Sequence, residues 1–138
     1  MPSNKSQGEH AELRFMLQAM QRSLHVLKPW GDNSPYDLVL LDPRSTRFPP
    51  RIKRVQVKST SSLHTCGAYR VHAVFGGKKQ AYALRHIDVI AAYVVPFDAW
   101  YVVPVRYVLR APYIYMRPHL EHTKSSWERF RNAWHLLE

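Results

Sequence analysis

The segment Tyr36-Asp37-Leu38-Val39-Leu40-Leu41-Asp42, followed after a proline-rich loop by Arg51-Ile52-Lys53-Arg54-Val55-Gln56-Val57-Lys58, decides how this chain is read. Both arms alternate and are rich in aliphatic or β-branched residues, and Pro43, Pro49 and Pro50 lie between them. That pattern predicts two strands of a hairpin with a long connection. Side chains two apart on a strand share a face, so Gln56 and Lys58 point one way while Val55 and Val57 point into a core. Asp37 opens the first arm and sits across from that pair. A carboxylate, an amide oxygen and an ammonium then converge at one end of a sheet. Polar groups set into apolar strands cost stability unless something satisfies them, often a ligand or metal. Taken alone, the spacing fits a solvated sheet edge equally well.

An Asp at the head of one strand followed by a strand ending in acid-x-Lys resembles the signature of the PD-(D/E)xK nuclease superfamily. Asp37 and Gln56-Val57-Lys58 occupy those places, with Tyr36 where the family name has Pro and Gln56 where it has an acid. The phrases Gly31-Asp32-Asn33-Ser34-Pro35-Tyr36-Asp37-Leu38-Val39 and Val55-Gln56-Val57-Lys58-Ser59-Thr60 are similar to a Gln-x-Lys branch that includes a homing endonuclease encoded within a group I intron. The resemblance covers roughly residues 7–104. It implies an α/β, restriction-endonuclease-like core: a mixed central sheet flanked by helices (αβββαβ-type). It also implies a Mg²⁺-dependent DNA endonuclease, with Mn²⁺ as a substitute. In the family the first helix supplies a Glu to the metal site four residues after a Gly, and Gly8-Glu9-His10-Ala11-Glu12 fits at Glu12. The implied catalytic set is Glu12, Asp37, Gln56 and Lys58. The implied metal ligands are Glu12, Asp37, Gln56 and the Val57 carbonyl. A Holliday-junction resolvase-like enzyme would share these residues, and a nuclease-fold DNA-binding protein with a weakened site is the alternative that Gln56 favours.

Charge points to the same class of partner. The chain of 138 residues carries a formal charge of +10. Residues 43–87 contain no acid, and their ten bases are Arg44, Arg47, Arg51, Lys53, Arg54, Lys58, Arg70, Lys78, Lys79 and Arg85. The remaining ten bases are balanced by ten acids, so the whole excess lies in the segment that bears Gln56 and Lys58. A single-sign field of this kind is the footprint of a polyphosphate partner, here double-stranded DNA. Arg44, Arg47, Arg51, Lys53, Arg54, Ser59, Thr60, Lys78 and Lys79 are the expected phosphate contacts. An RNA-binding module is a further alternative, since the aromatic residues could stack bases, but no aromatic RNA motif accompanies them.

The length fits one domain, with a nuclease core over about 7–104 and an irregular segment plus helix over 105–138. A single cysteine, Cys66, suits a reducing compartment, and the polar N-terminus and short apolar runs predict a cytoplasmic protein without membrane spans. Residues 8–23 have helical periodicity, with Glu12, Phe15, Met16, Ala19, Met20 and Ser23 on one stripe. Glu9 lies about 60° away around the helix and is the fallback for Glu12. A short strand is expected over 24–30, a third strand over 68–75, a turn at 76–79, and a second hairpin over 89–95 and 100–103. Residues 82–88 fit a turn or a short helix, and 107–118 lack periodicity. Ser125 and Glu128 have capping-box spacing at the start of a final helix carrying Trp127, Phe130, Trp134 and Leu137. That stripe suits the core or a subunit contact, and a homodimer or higher oligomer is expected because cutting both strands of a duplex needs two sites. His119 and His122 lack the accompanying ligands of a zinc site.

Overall fold

A computed structural model describes residues 3–75, 80–81, 86–109 and 111–138. Lys78, Lys79 and Arg85, the expected turn at 76–79 and part of the 82–88 segment lie outside the described residues. The helix α1 (Asn4–Gln21) starts four residues earlier than the periodicity indicates, because the Ser3 side chain caps it by accepting from the Ser6 N–H. Its buried residues are Ala11, Phe15 and Ala19, so the inward stripe is narrower than expected. Met20 is 63% exposed and belongs to an outer stripe with Leu13 and Leu17.

Five strands form the central sheet: β1 (His25–Leu27), β2 (Leu38–Leu41), β3 (Ile52–Thr60), β7 (Val89–Val94) and β8 (Ala99–Pro104), in the order β1-β2-β3-β7-β8. The β3–β7 pair is parallel and the others are antiparallel, giving the mixed α/β sheet of the restriction-endonuclease-like fold. Every residue of β7 and β8 is buried, as their unbroken apolar runs require of strands covered on both faces. On one face α1 packs Phe15 and Ala19 against Leu38, Leu40, Val55 and Ala91. The other face carries Ile90, Ala92, Tyr101 and Val103 and is covered by a ribbon of β4 (Tyr69–His72) and β9 (Tyr113–Met116). A small ladder joins β5 (Val74–Phe75) to β6 (Gln80–Ala81). Part of the aperiodic 107–118 segment is therefore a strand, stabilised by pairing with a distant partner.

The C-terminal region departs from the expected helix. It forms two short 3₁₀ segments, Ser126–Phe130 and Trp134–Leu137, separated by Asn132 at φ 55°. Between them Arg131 bridges to Tyr101 and the Asn132 N–H donates to the Trp100 carbonyl at 2.9 Å, so pairing with β8 replaces helix propagation. The capping box is absent. The Glu128 carboxylate instead accepts from the Tyr101 hydroxyl at 2.8 Å and the Arg117 N–H at 2.6 Å. Phe130, Trp134 and Leu137 are buried within the chain itself, which removes them as an oligomer surface. No described helix is long and apolar enough to cross a membrane.

Candidate active site

Asp37 immediately precedes the first paired residue of β2, and its two hydrogen bonds bracket Gln56. Its N–H donates to the Val55 carbonyl at 2.8 Å, and its Oδ2 accepts the Val57 N–H at 2.8 Å. The side chain thus takes a place in the ladder that a strand backbone would otherwise fill. N–H and C=O of one strand residue project to the same edge, so the Val57 carbonyl faces the side that Asp37 occupies. Gln56 and Lys58 are half-buried and sit in register with Ile90 and Ala92 of β7, on the face opposite Val55. The alternation read from sequence therefore holds through this strand, although Val57 is only partly buried.

Burial sets the electrostatics of the pair. It pushes the Asp37 carboxyl above its ordinary value, against the Val57 N–H and the fields of Lys28 and Lys58, which pull it down. It also pushes the Lys58 ammonium below its ordinary value, with Asp37 acting in the opposite sense. Each group has lost hydration, and each partly compensates the other.

Glu12 comes from α1, which packs against the Val55 face of the sheet. Its carboxylate is ion-paired with Lys28, and its side chain is 23% exposed. The field of the same Lys28 ammonium also reaches Asp37 and pulls its pKa down. Lys28 escaped the sequence reading because nothing in its local pattern ties it to residues nine and sixteen positions away. Glu9 is exposed and has no ion pair among the described residues. Among those residues no three His, Cys, Asp or Glu side chains converge.

The model of the PD-(D/E)XK endonuclease family matches residues 2–137. The chain belongs to that family. The fold is similar to the solved structure of a bacterial homing endonuclease, I-Ssp6803I, with a TM-score of 0.79 and 28% identity over 98% of this chain and 93% of that one. Comparison with curated protein sequences gave no significant match.

The basic residues of this endonuclease fall into distinct settings. Arg47 and Arg51 are exposed on the β2–β3 loop. Arg44, also exposed, pairs with Asp42 at 2.9 Å and lies 3.8 Å from Glu138. Lys53 is half-buried. Arg54 is held across the β3–β7 boundary, its Nε donating to Asp88 Oδ2 at 3.0 Å and its terminal nitrogen to Oδ1 at 3.1 Å. Burial alone would push the Asp88 carboxyl up, but the contacts from Arg54 and the nearby Lys53 outweigh it and hold the group below its ordinary value. The Ser59 hydroxyl accepts from Gln7 Nε2 at 3.1 Å, which fastens the end of β3 to the start of α1. Thr60 Oγ1 reaches the Ser62 carbonyl at 3.5 Å.

Proposed function

We propose that this endonuclease hydrolyses phosphodiester bonds of double-stranded DNA in a divalent-metal-dependent, homing-type reaction, with Mg²⁺ as the working ion and Mn²⁺ able to replace it. The observation that carries the reading is the bracketing of Gln56 by Asp37, with Lys58 on the same face one pleat on. The donors are all hard oxygens: the Asp37 and Glu12 carboxylates, the Gln56 amide and the Val57 carbonyl. Such a set suits Mg²⁺. The raised pKa of Asp37 marks a carboxylate short of compensation, which a cation would relieve. One rearrangement is required, because Glu12 must part from Lys28 to join the set.

When bound, the ion would polarise a phosphoryl oxygen and make a water more acidic. Asp37, Glu12, Gln56 and the Val57 carbonyl would hold and orient it. Lys58 faces the scissile phosphate and stabilises the charge that develops on its oxygens, or orients the attacking water. Its depressed pKa reflects a desolvated ammonium, whose field is stronger than that of a hydrated one. Arg44, Arg47, Arg51 and Lys53 add sequence-independent phosphate attraction. Cleavage of both strands calls for at least a homodimer, formed through a surface other than the buried Phe130 and Trp134.

The test is nicking of supercoiled plasmid in Mg²⁺, with DNA binding measured in parallel without metal. Lys58→Ala and Glu12→Gln should each lower cleavage by at least about 100-fold, in line with the loss of one charge-stabilising or proton-handling group. Both should retain DNA affinity, and Glu9→Gln should cut normally. Wild-type cleavage by Lys58→Ala would refute the assignment.

A further inference from the structure

The β4–β9 ribbon carries a second surface that the catalytic cluster does not use. Arg70 is paired with Tyr115 across the ribbon, and His72 with Tyr113. Alternation sends Tyr69, Val71, Ile114 and Met116 into the core, each at most 8% exposed, and puts Arg70, His72, Tyr113 and Tyr115 on the outer face. There the side chains lie against one another. The Arg70 guanidinium carbon lies 4.0 Å from the Tyr113 ring centroid, and the His72 and Tyr113 ring centroids are 4.4 Å apart. Beyond Tyr115 the surface opens into a cavity of about 640 Å³, lined by Arg117, Lys124 and Trp127 among others and by no acid. Among the described residues no carboxylate side chain lies within ion-pair distance of Arg70, Arg117 or Lys124.

We propose that this face reads base edges in the major groove of duplex DNA, with Arg70 as a guanine-contacting residue. The inference deepens the nuclease reading above and rests on it. A two-stranded ribbon fits the major groove, whose width is about 12 Å. An arginine held over an aromatic ring has restricted freedom, and its planar fork of donors matches the O6 and N7 acceptors of guanine. The positive, acid-free lining continues the charge complementarity along the phosphates that flank the groove. The chain also bounds how far from the cut the reading occurs. Twelve residue steps separate Lys58 from Arg70. They span at most about 43 Å, or roughly thirteen base pairs of B-form duplex at about 3.4 Å each, before the reach of the two side chains is added. The base contacted by Arg70 therefore lies within about two helical turns of the scissile phosphate.

The experiment selects duplexes from a pool with about 30 randomised base pairs, in chelator so that nothing is cut. Wild-type protein should enrich a sequence containing a guanine whose N7 methylation blocks binding. Arg70→Gln should lose preference at that guanine by about 5- to 150-fold, keep the other preferences, and still nick plasmid in Mg²⁺. Unimpaired binding to N7-methylated DNA by the wild type would overturn the proposal without recourse to any variant. So would an unchanged preference in Arg70→Gln, or a fall from dimer to monomer on Tyr115→Ala, which would assign this face to a second copy. If the wild type enriches no sequence yet nicks plasmid in a Lys58-dependent way, the ribbon proposal fails and the nuclease reading stands. If neither selection nor metal-dependent nicking occurs, both fail.

Discussion

Replacing Asp37 by Asn and by Ala separates what its charge does from what its hydrogen bond does. The Oδ2 atom satisfies the Val57 N–H at 2.8 Å, in a place where the ladder offers no backbone acceptor. Alanine leaves that donor unpaired, which costs about 1–3 kcal/mol. For a domain of this size that lowers Tm by roughly 3–12 °C. Asparagine keeps an oxygen in position, so the bond survives. It also removes a carboxylate whose folded pKa is raised by burial above the ordinary 3.8. The sign of the pH effect follows from that direction. A carboxyl with a raised folded pKa stabilises the fold while protonated, below its unfolded value, and this contribution is lost as pH rises through the folded value. Ionised Asp37 is therefore a burden at pH 7 and none in acid. Metal-free Asp37→Asn should melt at or above the wild type at pH 7, with the gap closing as pH falls below about 4, while Asp37→Ala melts lower at both. Both should be inactive on plasmid. Thermal melts by circular dichroism in chelator provide the measurement. Equal destabilisation of the two variants at pH 7 would show that the carboxylate, rather than the bond to Val57, holds the hairpin mouth, and would refute the reasoning.

Two further outcomes test the site and its surroundings. Gln56→Glu adds ligand charge and should cleave at lower Mg²⁺ than the wild type, whereas Gln56→Ala should lose most activity and regain part of it at high Mn²⁺. Cleavage rate against metal concentration for the three proteins checks this, and an Ala variant that tracks the wild type would exclude Gln56 as a ligand. Neutralising Arg44, Arg47 and Arg51 together should weaken binding to all DNA sequences and reduce the salt slope by up to about 0.9 for each phosphate no longer neutralised, read by fluorescence anisotropy across a salt series. Arg54 is left out of that set because its guanidinium is bound to Asp88 and only 25% exposed, whereas Arg44, though paired with Asp42, is 54% exposed.

The sheet was legible because its strands obey local rules. Alternation places Asp37, Gln56 and Lys58, and the unbroken apolar runs of β7 and β8 announce strands buried on both faces. The elements that escaped depend on distant partners. Four residues of the 107–118 segment become β9 only because β4, more than forty positions earlier, supplies hydrogen bonds. The spacing from Trp127 to Leu137 is helical, yet the edge of β8 captures Arg131 and Asn132 and breaks the run into two turns. Ser125 and Glu128 have capping spacing, but the Tyr101 hydroxyl and the Arg117 N–H, far away in the chain, claim the carboxylate. Lys28 belongs to the same group. It pairs with Glu12 and its field reaches Asp37 through tertiary placement, which no periodicity encodes.

The length of β3 has a consequence for solubility. Strand β2 pairs with Ile52–Val55 only, so on that side residues 57–60 run on with no neighbouring strand among the described residues. Such a bare edge can recruit a strand from another molecule, and proteins commonly guard against this with charge or with a capping group. Here the guards are the Asp37 carboxylate on the Val57 N–H and the half-buried ammonium of Lys58 one residue on. The groups proposed to cut DNA would thus also keep one copy of the sheet from growing onto the next. Substitutions that silence the site by removing both charges would be expected to yield protein that aggregates during expression, even where each native contact in the core is intact.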